Sequence, residues 1–197
     1  GVQTCALPIL GIQALAALGA ADWLVWLVLG LVSGMTQGFS ILVSQYYGAR
    51  EWKKMKQSIA WSYILTAITA ILVLVISQAA VYQVMVFLNT PSNVIDMSMI
   101  YLRIVFCGIP VIAAYNILAA VLRAMGNSRS PLMAMIVAAL TNVVLDLLFV
   151  AGFHWGVAGA AAATGIAQAV SAIYCLIVLR KIEVVKLGRE DFKLQPG

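Results

Sequence analysis

The chain has 197 residues, 63% of them hydrophobic and 10% charged, with a mean hydropathy of +1.02. This excludes an ordinary soluble domain, because long apolar runs signal membrane spans. The net charge of +5 comes from basic residues in short loops, so it reads as a topology signal and not as a nucleic-acid surface. A span needs roughly 20 apolar residues, so about five transmembrane helices fit, as an all-α polytopic bundle in a lipid bilayer.

Residues 1–9, GVQTCALPI, resemble translated sequencing-adapter read-through and are expected to be a non-native leader. No basic residue precedes the first apolar run, as a signal peptide would require. Residues 10–21 are short and alanine-rich, suited to the end of a truncated helix or to a short interfacial one. Asp22 precedes the first clear span, residues 23–47, which carries no charge. Gly30, Gly34 and Gly38 form a small-xxx-small pattern there, suited to close helix packing. Ser33, Gln37, Ser40 and Ser44 form one polar stripe, which serves either interhelical hydrogen bonding or the lining of a wet cavity.

Residues 48–57 form a basic loop with Arg50, Lys53, Lys54 and Lys56, and a second span covers residues 58–88. That span exceeds the bilayer thickness and should tilt or project. On its face Ser62, Thr66 and Thr69 read as packing groups. Residues 89–93, NTPSN, are a turn by composition. The third span, 97–122, has Arg103 near one end, placed to snorkel. Gly108 and Pro110 in its middle predict a kink. Residues 123–129 are another basic loop, after which Ser130 and Pro131 suit a helix start. The fourth span is 131–151. His154 and Trp155 in the turn at 152–155 read as boundary chemistry. The fifth span, 156–179, opens with small residues that permit close approach, and carries a stripe of Thr164, Gln168 and Ser171. Cys107 and Cys175 lie in apolar runs and read as small core residues. The expected organisation is a leader (1–9), a membrane bundle (10–181) and a cytoplasmic linker (182–197).

Charge supports this count. Segments 48–57, 123–129 and 180–197 hold eleven of the twelve basic residues, Arg103 being the exception. By the positive-inside rule these three segments are cytoplasmic.

The fourth span carries the main functional candidate. Asp146 follows Asn142 by one helical turn, so the two share a face. Ionisable groups are costly in hydrocarbon and usually mark ion or proton paths. Burial disfavours the charged carboxylate and a nearby cation restores it, so the group can exchange a proton for a metal ion or an organic cation. Thr164 from another helix could complete an oxygen site for a hard cation. The competing reading is that Asp146 only fixes helix packing. No HExxH, GxSxG, Walker A or GxGxxG signature is present, so no enzyme and no soluble cofactor are expected.

The run YLRIVFCGIPVIAAYNILAAVLRAMGNSRSPL, then TNVVLDLLF and GVAGAAAATGIAQ, resembles the N-terminal half of the multidrug and toxic compound extrusion (MATE) family, as does SQYYGAREWKK. The resemblance covers roughly residues 14–180. It implies helices two to six of a twelve-helix, two-lobe secondary transporter, with a first helix and a second lobe elsewhere in the same polypeptide. It implies a cell-membrane antiporter that exports drugs or other organic cations in exchange for Na⁺ or H⁺. The family's coupling site falls on Asn142, Asp146 and Thr164, while its further Asp on helix one is not represented by Asp22. Tyr115 and Asn116 match the lumen-facing part of helix four, and Gln37 and Ser40 are the further candidates for lining the substrate path. A related flippase of lipid-linked sugars, or a non-transport membrane scaffold, are the alternatives.

Overall fold

The computed structural model describes residues 7–87, 92–182 and 191. The expected leader, the turn at 89–93 and the linker fall largely outside these residues. Six α-helices follow one another: α1 (Leu7–Gly48), α2 (Trp52–Phe87), α3 (Ser92–Cys107), α4 (Ile109–Ala124), α5 (Arg129–Asp146) and α6 (Gly156–Arg180). A π-helical turn, Leu147–Gly152, extends α5. No strand occurs among the described residues. Four stretches are long and apolar enough to cross a membrane: Ala21–Gly48, Trp52–Phe87, Arg129–Gly152 and Gly156–Arg180. Ser98–Cys107 and Ile109–Ala124 make a fifth, bent by 45°. The protein is therefore a multi-pass, all-α membrane protein.

The bend sits where Gly108 and Pro110 predict it. Pro110 has no N–H to continue the ladder. Gly108 is tight as well, since a Cβ there would come 3.0 Å from the Val105 carbonyl oxygen.

Two expectations about the chain's first third are corrected. Residues 10–21 are not a separate helix but continue into the first span as α1, so Asp22 lies within the helix and not ahead of it. Ala14–Ala21 is rich in strong helix formers, and Gly19 alone does not stop it. The basic loop is shorter than expected, because α2 starts at Trp52 and takes up Lys53, Lys54 and Lys56. Lys54 pairs with Glu51 at 2.7 Å.

The α1–α2 connection is tight. Glu51 N donates to Tyr46 O at 3.0 Å and Arg50 N to Tyr47 O at 3.1 Å. This is a Schellman cap with Arg50 at its left-handed position, φ 60°. The same cap ends α4, with Gly126 at φ 80°.

Two apolar clusters hold opposite ends of the bundle. One joins Val25, Val28 and Val32 of α1 to Met85 of α2, Leu102 and Phe106 of α3, and Ala161 of α6. The other joins Val43 of α1 to Met55 and Ile59 of α2, Val121 and Leu122 of α4, and Leu179 of α6. In lipid such packing rests on van der Waals fit and not on water exclusion. Ser62 adds a polar tie between helices, donating to Phe39 O at 3.2 Å as well as to Ser58 O at 2.6 Å.

Small residues divide in their use. Gly159 packs closely: a Cβ there would lie 3.1 Å from Phe149 Cβ and 3.3 Å from its backbone carbon. Gly30, Gly34 and Gly38 do not serve packing among the described residues, since nothing comes within 4 Å of a Cβ built on them. Of the two cysteines expected in the core, Cys175 is buried but Cys107 is exposed, because it ends α3 at the bend and faces outward.

Candidate functional site

Four helices, α1, α4, α5 and α6, enclose a cavity of about 590 Å³. Its polar wall comes from Asp22 and Ser33 of α1, Tyr115 of α4, Asn142 of α5, and Thr164, Gln168 and Ser171 of α6. The spacings explain the convergence. Thr164, Gln168 and Ser171 recur at four and three residues, so they share a face of α6. Helices α5 and α6 pack most extensively on one another, which turns that face toward Asn142.

Asp146 lies one turn beyond Asn142 and, like it, is 4% exposed. Its Oδ1 has no hydrogen-bond partner, nor do Asn142 Nδ2 and Gln168 Oε1. Three unpartnered polar atoms on two packed helices are costly in a low-dielectric interior. Thr164 donates to Ala160 O at 3.0 Å and Ser171 to Gln168 O at 2.8 Å. Both hydroxyls thus keep oxygen lone pairs for another donor or a cation. No three His, Cys, Asp or Glu side chains converge among the described residues. Asn142 and Thr164 line the cavity and Asp146 does not; a carboxylate with amides and hydroxyls is the donor chemistry that suits a hard cation or a proton.

The chain leaves the α-helical path directly after Asp146. Phe153 N donates to Leu148 O, five residues back, at 2.9 Å. π-Helical turns are rare and often mark functional sites. Phe149, Phe153 and Trp155 stack beside this turn, with Phe149 and Trp155 ring centroids 5.1 Å apart.

The sequence-predicted lining residues do not all meet. Asn142, Thr164 and Tyr115 share the cavity. Gln37 and Ser40 instead line a second one of about 570 Å³, with Ser44 and Arg123. The stripe from Ser33 to Ser44 climbs roughly 16 Å at 1.5 Å per residue, so its two ends sit at different levels. Asn116 is half-buried and lines neither cavity, because the next residue on a helix turns about 100° away from Tyr115.

Asp22 is the residue that sequence reading passed over. With Trp26, Gly30 and Ser33 it forms a helical face on the cavity. Their spacing of four, four and three was a usable signal, hidden by placing Asp22 outside the span.

A bundle of membrane-crossing helices, with a broken span and a polar cavity between helices, defines a polytopic helical membrane protein. The MatE family model matches residues 4–148, and the chain belongs to that family. It is 32% identical over 181 residues to the "Probable multidrug resistance protein YpnP" of Bacillus subtilis, covering 90% of this chain and 40% of that protein. It is 24% identical over 162 residues to the multidrug export protein MepA of Staphylococcus saprophyticus, covering 82% and 36%. Its fold matches a solved inward-facing MATE family transporter of the MOP superfamily with a TM-score of 0.88 at 23% identity, over 98% of this chain and 46% of that one. The chain thus spans about two fifths of the relatives' length.

Proposed function

We propose that this chain forms part of a cation-coupled antiporter that exports drugs or other organic cations, with Asp146, Asn142 and Thr164 as its coupling site. The observation that carries the reading is the buried Asp146 carboxylate, whose Oδ1 lacks a partner, one turn from the cavity-lining Asn142. The relatives' names support drugs as the cargo, since they are described as multidrug resistance and export proteins. In this reading a proton or Na⁺ neutralises Asp146 and draws Asn142 and the Thr164 hydroxyl toward it. Loss of the ion leaves a buried charge, which biases the helices toward a conformation that opens the site. The substrate occupies the larger space bounded by Tyr115, Ser33 and Gln168. Gln37 and Ser40 lie on a separate polar level toward the basic loops. Segments 48–57, 123–129 and 180–197 face the cytoplasm. The complete transporter carries a second lobe in the same polypeptide.

The test uses the full-length protein in everted vesicles, with uptake of a fluorescent organic cation followed under an imposed proton or sodium gradient. Gradient-dependent uptake that Asp146→Asn abolishes, with membrane insertion unchanged, supports the reading, and the effective gradient names the coupling ion. Uptake by Asp146→Asn equal to that of the wild type would falsify it.

A further inference from the structure

A third cavity, of about 370 Å³, lies between α2, α4 and α6. It is separate from the Asn142 cavity and shares no lining residue with it. Its walls are almost wholly apolar, with Ala70 and Ile71 of α2, Pro110 and Leu118 of α4, and Leu176 of α6. The cavity lies beside the 45° bend at Gly108, with Pro110 in its wall.

Two polar groups stand in this apolar wall. Thr66 is 4% exposed and Tyr63 is half-buried. The Thr66 Oγ1 and the Tyr63 hydroxyl oxygen are both buried without a hydrogen-bond partner. A membrane-helix threonine ordinarily returns its proton to the carbonyl four residues back, as Thr36, Thr141 and Thr164 do here. Thr66 does not. Two unpartnered hydroxyls, three residues apart on one face of α2, are expensive at membrane depth. Both are left as donors for an acceptor in the cavity. No Asp, Glu, Lys, Arg or His lines the cavity, so nothing there balances a charged ligand. The wall reaches the outer surface of the described helices, where Ala67 and Ile71 are exposed.

We propose that this cavity binds an uncharged amphiphile drawn from the bilayer, its one oxygen atom held by Tyr63 and Thr66 and its apolar chain lying along Ala70, Ile71 and Leu118. The volume falls near the lower end of the range for small-molecule pockets, which fits a single chain of moderate length and not a two-chain lipid. The site stands whether or not Asp146 couples transport.

The probe is a photoreactive diazirine analogue of decanol, with the matching diazirine decane as control. The full-length protein is reconstituted in nanodiscs, and labelled peptides are mapped by mass spectrometry. The alcohol is expected to label residues 63–71 and 110–118 about fivefold above the exposed 75–86 face of α2, the effect of one net hydrogen bond. The decane should show no such preference. Tyr63→Phe with Thr66→Val keeps the shape, removes both hydroxyls and should reduce alcohol labelling to the decane level. Ala114→Phe keeps the hydroxyls, fills the cavity and should remove labelling as well. Uniform labelling along α2, or wild-type labelling in either variant, overturns the proposal.

Discussion

Gln78 of α2 donates from Nε2 to the Arg103 carbonyl oxygen at 2.9 Å and approaches Cys107 Sγ at 3.3 Å. Both contacts fall in the last turns of α3, just ahead of the bend. There the ladder tightens, Gly108 N reaching only to Val105 O at 2.9 Å. A side chain from a neighbouring helix thus ties α2 to the end of α3 within about a turn of the break.

Gln78→Leu should therefore lower stability by about 1 kcal/mol, read as a lower thermal midpoint in nanodiscs. It should also quicken the reaction of exposed Cys107 with a lipid-soluble maleimide, while buried Cys175 stays unreactive in both proteins. An unchanged midpoint together with an unchanged Cys107 rate would sink this account of the bend.

Gly159 leaves no room for a side chain, since a Cβ would lie 3.0 Å from Trp155 Cβ and 3.1 Å from Phe149 Cβ. Gly159→Ala should cost about 2 kcal/mol, the usual scale for overpacking against a backbone that cannot yield. Gly165→Ala is the control, because nothing lies within 4 Å of its position; there the better helix propensity of alanine should leave stability equal or slightly higher. Denaturation of the two variants side by side checks the contrast.

The two Schellman caps make a paired prediction. Arg50 holds φ 60° where Gly126 holds φ 80°, and left-handed backbone costs a non-glycine residue about 1 kcal/mol. Arg50→Gly should stabilise the protein by about that amount, and Gly126→Ala should destabilise it similarly. Equal midpoints for wild type and Arg50→Gly would show the cost is relieved elsewhere.

Asp22 shares its cavity with Asn142 and Thr164. If organic cations enter that space, Asp22→Asn should weaken their transport by about tenfold, the value of a modest charge contact. Asp96→Asn, at an exposed position of α3 outside the cavity, should leave it unchanged. Initial uptake rates across a concentration series separate an affinity effect from a loss of turnover.

Much of the architecture was legible because the bilayer imposes it. A span must be long, apolar and internally hydrogen-bonded, so composition marks the helices and Pro110 marks the break in one of them. The candidate residues of α5 and α6 were legible too, since Asn142 with Asp146 and Thr164 with Gln168 sit at spacings that mean one face. Periodicity within a helix says nothing of the distance between faces. It could not show that Gln37 and Ser40 belong to a different cavity from Asn142, or that Asp22 belongs to the same one. The π-helical turn after Asp146 carries no sequence mark, and neither does the use of Gly30, Gly34 and Gly38 to line cavities where close helix packing was expected.

Sequence by itself determined the solvent of this protein, the places of its membrane spans and the polar faces they carry, because those follow from local hydropathy and a fixed helical period. Only the tertiary structure decided which faces meet. Helix rotation and the 45° bend are set by close contacts such as Gly159 on Phe149, and a few ångströms there separate a shared cavity from two distinct ones.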